Sequence, residues 1–360
     1  MQKAWHGLAR EMARAGHEVT IVARSFPGQP PAETIEGVRF LRAGGFSQGK
    51  HVAWDLAKDL LYAFASLPRL PGGDILVTND FWLPMLAARL RRSAGAVVVS
   101  AGRFPKGQYR LYRRAERIVA ISGAVRGAIA EEQPTLAAKT LVIPLPVDLA
   151  PFAGAAPQRE TTSKLLFVGR VHPEKGLELL LGAFALLAAR FPEWRLEIVG
   201  PAAEAEGGGG ERYLERLRDL ARGQRIDLRG PVFDPAALAA VYRDADLFCY
   251  PSLAERGEAF GVAALESMAA GIAPVVSDLA CFRDFVRDGE NGWVFDHRGP
   301  AASEALAVVL AQAMADEERR RRAGLAARRI AEGFSFAAVA RSYLAEFARI
   351  LADGRGTAQG

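Results

Sequence analysis

Cysteine is nearly absent: 360 residues carry only Cys249 and Cys281. Two cysteines exclude a disulfide framework, their separation excludes a CxxC site, and both are read as small core side chains. The five histidines, at positions 6, 17, 51, 172 and 297, show no metal-ligand spacing, so no resident metal and no bound cofactor are expected. Long apolar runs are missing too. None approaches the ~18 residues of a spanning helix, and the most apolar window, 261–276, is broken by Glu266 and Gly271. The opening stretch MQKAWHGLAREMARAGHEVTIVAR lacks the hydrophobic block of a signal peptide. These absences describe a cytoplasmic protein, at most peripheral at the inner face of a membrane.

What the chain does have is hydrophobic substance and an uneven charge. Half of its residues are hydrophobic, enough for two cores of ordinary domain size, and the net charge is +5. Residues 1–150 hold 20 Lys and Arg against 12 Asp and Glu, whereas the remainder is slightly acidic. The basic half favours an anionic partner such as acidic lipid or a phosphate-bearing acceptor. No nucleic-acid module accompanies it, so nucleic acid is not expected as a partner.

Short β-branched runs alternate with helix-period segments throughout, as βαβ units and a parallel sheet require. The first half offers EVTIVAR (18–24), GVRFLRA (37–43), DILVTN (74–79), AVVVSA (96–101), RIVAIS (117–122) and TLVIPLP (140–146). Residues 150–163 interrupt with prolines and small polar residues and read as a linker. The alternation resumes with KLLFVG (164–169), RLEIVG (195–200), RIDLRG (225–230), DLFCYPS (246–252), APVVSD (273–278) and GWVFD (292–296). Two Rossmann-like domains are predicted, over 1–149 and 164–334, with a cleft between them and a capped apolar-striped helix over 335–354. EGGGGER (206–212) lacks the Lys-Ser/Thr of a phosphate loop and reads as a mobile surface loop. The chain opens directly in a helix, where a doubly wound sheet would first place a central strand. The first domain therefore reads as missing its first strand, and the native start is expected upstream.

Two stretches of the second half carry the chemistry. In LLFVGRVHPEKG a strand ends at Gly169, and Arg170 and Lys175 stand five apart around the turn into a helix. A guanidinium, an ammonium and the positive end of a helix dipole could there hold a diphosphate and stabilise its departure. Solvated turn residues are the alternative. In EAFGVAALE, Glu258 and Glu266 are eight apart. On one helix they would lie ~12 Å apart along the axis and could not grip one atom. With Glu258 in the loop and Glu266 on the helix, they could instead touch opposite ends of a ligand as long as a nucleotide sugar.

Together GRVHPEKG, PSLAERGEAFGVAALESMAAGIAPVVSD and RDGENGWVF closely resemble the family 4 retaining glycosyltransferases of GT-B fold. The first half resembles them more weakly, through LAREMARAGHEVTIVAR, ERIVAISGAVRGAI and VIPLPVDLAPF. The resemblance implies an α/β GT-B architecture, two Rossmann-like domains facing across a cleft, with the C-terminal helix crossing back to the first. It implies transfer of a sugar, with retention, from a nucleoside-diphosphate sugar to a glycan, glycolipid or other hydroxyl acceptor in bacterial surface polysaccharide or glycolipid assembly. Arg170 and Lys175 match the family's diphosphate pair, Glu258 its sugar-facing acid and Glu266 its ribose-facing acid. Gly169, the backbone around Phe260 and Gly261, and Val232 beside the base complete the implied donor site. Three places depart from the pattern. Gly102-Arg103 and Thr78-Asn79-Asp80 stand where histidines are common, and Leu145-Pro146 where Asn-Gly is common. Asn79, Asp80 and Arg103 are the acceptor candidates.

The stretch 102–117 interleaves Arg103, Lys106, Arg110, Arg113, Arg114 and Arg117 with Phe104, Tyr109, Leu111 and Tyr112. It could lie on anionic lipid through 103–117, or recognise a phosphorylated acceptor, or be an exposed arginine-rich helix. Two other functions stay open beside transfer: a catalytically degenerate nucleotide-sugar-binding protein, and another GT-B activity such as nucleotide-sugar epimerisation.

Overall fold

The computed structural model describes residues 2–46, 52–153 and 162–356, and it divides into two units, 1–146 with 336–360 and 147–335. Of the predicted linker 150–163, residues 154–161 lie outside the described residues. No helix among the described residues is long and apolar enough to cross a membrane.

The first unit runs α1 (Gln2–Arg14), β1 (Val19–Arg24), β2 (Ala32–Ile35), β3 (Val38–Ala43), α2 (Val52–Ser66), β4 (Ile75–Thr78), α3 (Leu83–Leu90), β5 (Ala96–Ala101), β6 (Arg117–Ala120), α4 (Gly123–Glu132) and β7 (Thr140–Val142). Strands β4, β5, β6 and β7 form one parallel sheet, and β1, β3 and β2 form another in which only β2 is antiparallel. The β2–β3 hairpin turns at Glu36-Gly37, both at positive φ, as a tight two-residue turn demands. Sequence periodicity missed β2, because AETI carries too little apolar alternation to read as a strand. Within the described residues β1 pairs only with β3, and β4 only with β5. Val19, Ile75 and Val77 are only partly buried, whereas β5 is buried almost throughout.

The C-terminal helix Phe336–Gly356 belongs to this unit and packs along α1, with the Trp5 and Tyr343 rings 5.3 Å apart. Its Val339, Ala340, Tyr343 and Ile350 join Leu8, Met12, Val98, Val119 and Ile143 in one core. Arg117 Nε donates to Glu346 Oε1 at 2.6 Å and pins the same helix to β6.

The second unit contains β8 (Lys164–Val168), α5 (Leu177–Leu187), β9 (Arg195–Val199), α6 (Glu211–Ala221), β10 (Ile226–Arg229), α7 (Pro235–Arg243), β11 (Leu247–Tyr250), α8 (Val262–Ala269), β12 (Pro274–Ser277), β13 (Trp293–Phe295), α9 (Ala302–Ala315) and α10 (Glu317–Glu332). Its sheet is parallel throughout, in the order β10-β9-β8-β11-β12-β13. β8, β11 and β12 are buried at every residue, as strands covered by helices on both faces must be, which explains their unbroken apolar runs. Phe152, at the head of the predicted linker, is buried edge-on against Tyr242 of α7, and Arg243 donates to Pro151 O at 2.9 Å.

Candidate active site

The strand order of the second unit reverses direction at β8: β9 lies on one side of it and β11 on the other. Open parallel sheets hold their ligands outside the carboxyl ends of the strands at such a point. Both motif-bearing loops emerge there, one after β8 and one after β11. They are stitched together by the Leu253 N–H, which donates to Glu174 O at 2.8 Å. Gly176, the residue before α5, has φ +69° and so close an approach that a Cβ would sit 2.0 Å from Pro251 O. Gly261, before α8, has φ +84° and would drive a Cβ into the Phe282 ring at 2.3 Å. Only glycine fits either place. Neither helix N-terminus receives a side-chain cap, so both retain free N–H donors at the positive end of a dipole.

Lys175 Nζ donates to Glu258 Oε2 at 2.7 Å, and both side chains are buried. The ammonium also lies 5.3 Å from the centre of the Tyr250 ring. Burial first, and then the Glu258 charge, hold the Tyr250 phenol well above its ordinary pKa, so it stays a neutral donor. Arg170 is more exposed; its Nη2 donates to Glu174 Oε1 at 2.5 Å and its Nη1 to Gly207 O at 2.6 Å. The same Glu174 oxygen stands 3.8 Å from Lys175 Nζ. Glu174 therefore faces both cations, and an incoming diphosphate would compete with it for Arg170.

Glu258 lies in the loop and Glu266 within α8, the arrangement their eight-residue spacing needed. Glu266 makes a different partnership from Glu258: Tyr242 Oη donates to its Oε2 at 2.9 Å. Burial raises the Glu266 pKa, and the tyrosine bond opposes that rise. Phe260 turns inward, with its ring 5.4 Å from that of Phe285, so only its backbone is left to meet a ligand. Gly169 closes β8 and lies beside Arg170. Val232 is half-buried and follows β10, the outermost strand two places from β8.

Sequence reasoning missed three contributors: Glu174, Tyr250 and the glycine run. The run's Gly209 N–H donates to Val171 O at 2.8 Å and its Gly207 O accepts from Arg170. The stretch read as a mobile loop is thus hydrogen-bonded to the cation turn. The missed signal for Glu174 was its position one residue before Lys175, inside the motif itself.

In the first unit Asn79 and Asp80 follow β4, and Arg103 follows the neighbouring β5. Asn79 and Arg103 are exposed, whereas Asp80 is half-buried and accepts the Trp82 N–H at 3.3 Å. Asp59 of α2 approaches Asp80 and is itself paired with Arg24 of β1 at 3.3 Å. Burial and the Asp59 carboxylate raise the Asp80 pKa from 3.8 to about 7. Between those values the folded chain keeps a proton that the unfolded chain has lost, so stability falls as pH rises and the loss is complete above 7. Asp80→Asn removes this titration. Its stability relative to the parent chain is expected to improve by about 2–3 kcal/mol between pH 5 and pH 8. Denaturant melts at the two pH values measure it, and a pH-independent difference would refute the assignment.

The basic stretch 103–117 is not an exposed arginine-rich helix, one of its three readings. It holds only a short turn, Gln108–Leu111, and its Tyr109 and Tyr112 are buried, with Tyr112 Oη donating to Phe81 O at 2.9 Å. These two tyrosines are spent on the core, whereas Phe104 is half-buried. Arg103, Lys106, Arg110, Arg113 and Arg114 remain exposed.

The family model described as Glycosyl transferases group 1 matches residues 153–330, and the one described as Glycosyltransferase Family 4 matches residues 1–151. The chain is 32% identical to a phosphatidyl-myo-inositol mannosyltransferase of Mycolicibacterium smegmatis, over 89% of this chain and 82% of that one. It is 33% identical to a D-inositol 3-phosphate glycosyltransferase of Geodermatophilus obscurus, over 94% of this chain and 82% of that one. Among solved structures, a glycosyltransferase from Rickettsia africae superposes with a TM-score of 0.75 at 18% identity, covering 97% of this chain and 94% of that one.

Proposed function

This chain belongs to the family 4 glycosyltransferases of group 1 type, with the two parallel-sheet domains of the GT-B fold, and from that premise we propose which substrates it joins and how. The donor is a nucleoside-diphosphate sugar held by the second unit. Its diphosphate lies between Arg170, Lys175 and the N-termini of α5 and α8. Glu258 accepts hydrogen bonds from the sugar, Glu266 from the ribose, and the backbone near Val232 meets the base. The observation that carries this reading is the buried Lys175–Glu258 pair at the switch point of the sheet. It ties the group that neutralises the diphosphate to the group that orients the sugar, at 2.7 Å.

The bond from the anomeric carbon to the diphosphate oxygen breaks, and a bond from that carbon to the acceptor oxygen forms on the same face. The acceptor proton passes to the departing diphosphate. Arg170, Lys175 and the two helix termini stabilise the negative charge as it grows, an electrostatic contribution in a site already arranged to receive it.

The acceptor is a hydroxyl of a phosphate-bearing polyol, free or lipid-borne. Support comes from the names of the two relatives, whose acceptors are both inositols carrying phosphate. Asn79, Asp80 and Arg103 are the residues proposed to meet it. A phosphatidyl acceptor sits in a bilayer, so the chain would then work at the inner face of a membrane. Neither relative's name supports epimerisation or a degenerate binding role.

Incubating the chain with a panel of nucleoside-diphosphate sugars, inositol phosphate and phosphatidylinositol vesicles tests the proposal. The expected result is release of nucleoside diphosphate only when an acceptor is present, with the donor's anomeric configuration kept in the product by NMR. An inverted product, or epimerised donor without transfer, would overturn it.

A further inference from the structure

One buried histidine lies outside the donor motifs yet reaches into the loop that carries Glu258. His297 follows β13, and its side chain is only 4% exposed. Its Nε2 stands 3.0 Å from Oε1 of Glu255, in the loop after β11. A carboxylate can only accept, so the Nε2–H group is the donor. The other ring nitrogen, Nδ1, is also buried and has no partner among the described residues. A phenylalanine would fill this place without that unsatisfied atom. What the imidazole adds here is its single bond to Glu255.

Glu255 shares one tight turn with the donor acid. The Gly257 and Glu258 N–H groups both donate to Ala254 O, at 3.0 and 2.9 Å, which closes residues 254–258. The turn is tethered on two sides: Glu258 binds Lys175 of the loop after β8, and Glu255 binds His297 of the loop after β13. The first tether belongs to the donor motifs themselves, whereas the second comes from a part of the sheet that meets no donor group. Arg298 Nε also stands 3.0 Å from Glu255 Oε1, but both of these side chains are about half exposed. Its guanidinium is shared as well with Asp278 and Asp296, each at 3.3 Å. An exposed pair divided among three acids fixes little, so the buried imidazole is the firm half of the clamp.

We propose that His297 is a positioning residue for the donor sugar: through Glu255 it fixes the 254–258 turn and so sets where the Glu258 carboxylate points. The proposal rests on the sugar-facing reading of Glu258.

Kinetics and hydrogen exchange on the full chain test it together. His297→Phe should melt near the parent chain, because it removes a buried polar ring and keeps its volume. Its kcat/KM for transfer from UDP-glucose or GDP-mannose should fall about 10–100-fold, the loss expected when an orienting group is displaced by about 1 Å. Affinity for UDP and GDP, which carry no sugar, should be unchanged by isothermal titration. His297→Gln, whose amide N–H can reach the same carboxylate, should restore most of the lost activity. Glu255→Ala should match His297→Phe, and the double variant should be no worse than either, because both remove one contact. Arg298→Gln should cost less than His297→Phe. Exchange of the 253–259 amides should quicken in His297→Phe while α8 keeps its parent rate, a readout that needs no donor. Faster exchange beside a Glu258→Gln variant that transfers normally would end the sugar-facing reading and leave the clamp standing. Unchanged exchange of 253–259 overturns the proposal, as does unchanged transfer in His297→Phe when Glu258→Gln is impaired. An equal loss of UDP and GDP affinity also overturns it, since His297 would then prop the whole second unit.

Discussion

Replacing Lys175 by methionine is expected to lower kcat/KM for sugar transfer by about 10²–10³-fold, the loss typical when one preorganised charge-stabilising group is removed from an active site. The ammonium is buried and held at 2.7 Å from Glu258, so it needs no rearrangement when charge develops on the diphosphate. The same substitution leaves Glu258 buried without its partner. Breaking such a pair costs about 3–5 kcal/mol, and the variant should melt earlier for that reason alone. A second substitution separates the two effects. Lys175→Met/Glu258→Gln carries no orphaned charge, so most of the stability should return, whereas activity should stay at or below that of the single variant. Thermal melts and steady-state kinetics on the parent and both variants measure this. If the double variant regained activity along with stability, Lys175 would be a structural residue and the diphosphate assignment would fall.

That pair also shows where the sequence was legible and where it stopped. Lys175 and Glu258 are recognisable separately, each inside a short motif with glycine at a helix start. Their contact joins residues 83 positions apart, and only the pairing of β8 with β11 brings the two loops together. Local spacing did yield the placement of Glu258 in a loop and Glu266 on a helix, because eight helical residues separate two side chains too widely for a shared partner. The alternation of strands and helices was equally readable, since buried parallel strands are unbroken apolar runs.

Direction was not readable. In 103–117 the aromatic residues three apart suit an amphipathic helix and a buried turn alike, and the structure takes the second course with Tyr109 and Tyr112. Helix α2 posed the converse difficulty. Its sequence VAWDLAKDLLYAFAS is apolar nearly all round, so nothing in it says that Ala63 faces the core while Leu61 and Phe64 face water. Asp80 is similar: a neutral-range titration depends on Asp59, which arrives from another element. In each case the deciding neighbour comes from a distant part of the chain.

Glu266 should prove to be a nucleoside residue and not a phosphate residue. Its carboxylate is proposed to accept hydrogen bonds from the ribose hydroxyls, and bonds to a charged acceptor contribute about 1.5–3 kcal/mol each. Glu266→Ala is therefore expected to weaken UDP and GDP binding alike by about 10–100-fold, because both share the ribose. Inorganic pyrophosphate, which meets only Arg170, Lys175 and the helix termini, should bind as before. Folding should suffer little, since Tyr242 Oη also lies 3.2 Å from Ala263 O and keeps a partner when the carboxylate is gone. The pH dependence has a fixed sign. Burial raises the Glu266 pKa, so as pH falls the carboxylate takes up a proton sooner than an ordinary glutamate, and nucleoside affinity should decline over that range. In Glu266→Ala that decline should vanish. Isothermal titration with UDP, GDP and pyrophosphate across pH reads all three expectations, and an equal loss for pyrophosphate would make Glu266 a prop for α8 with no contact to the ribose.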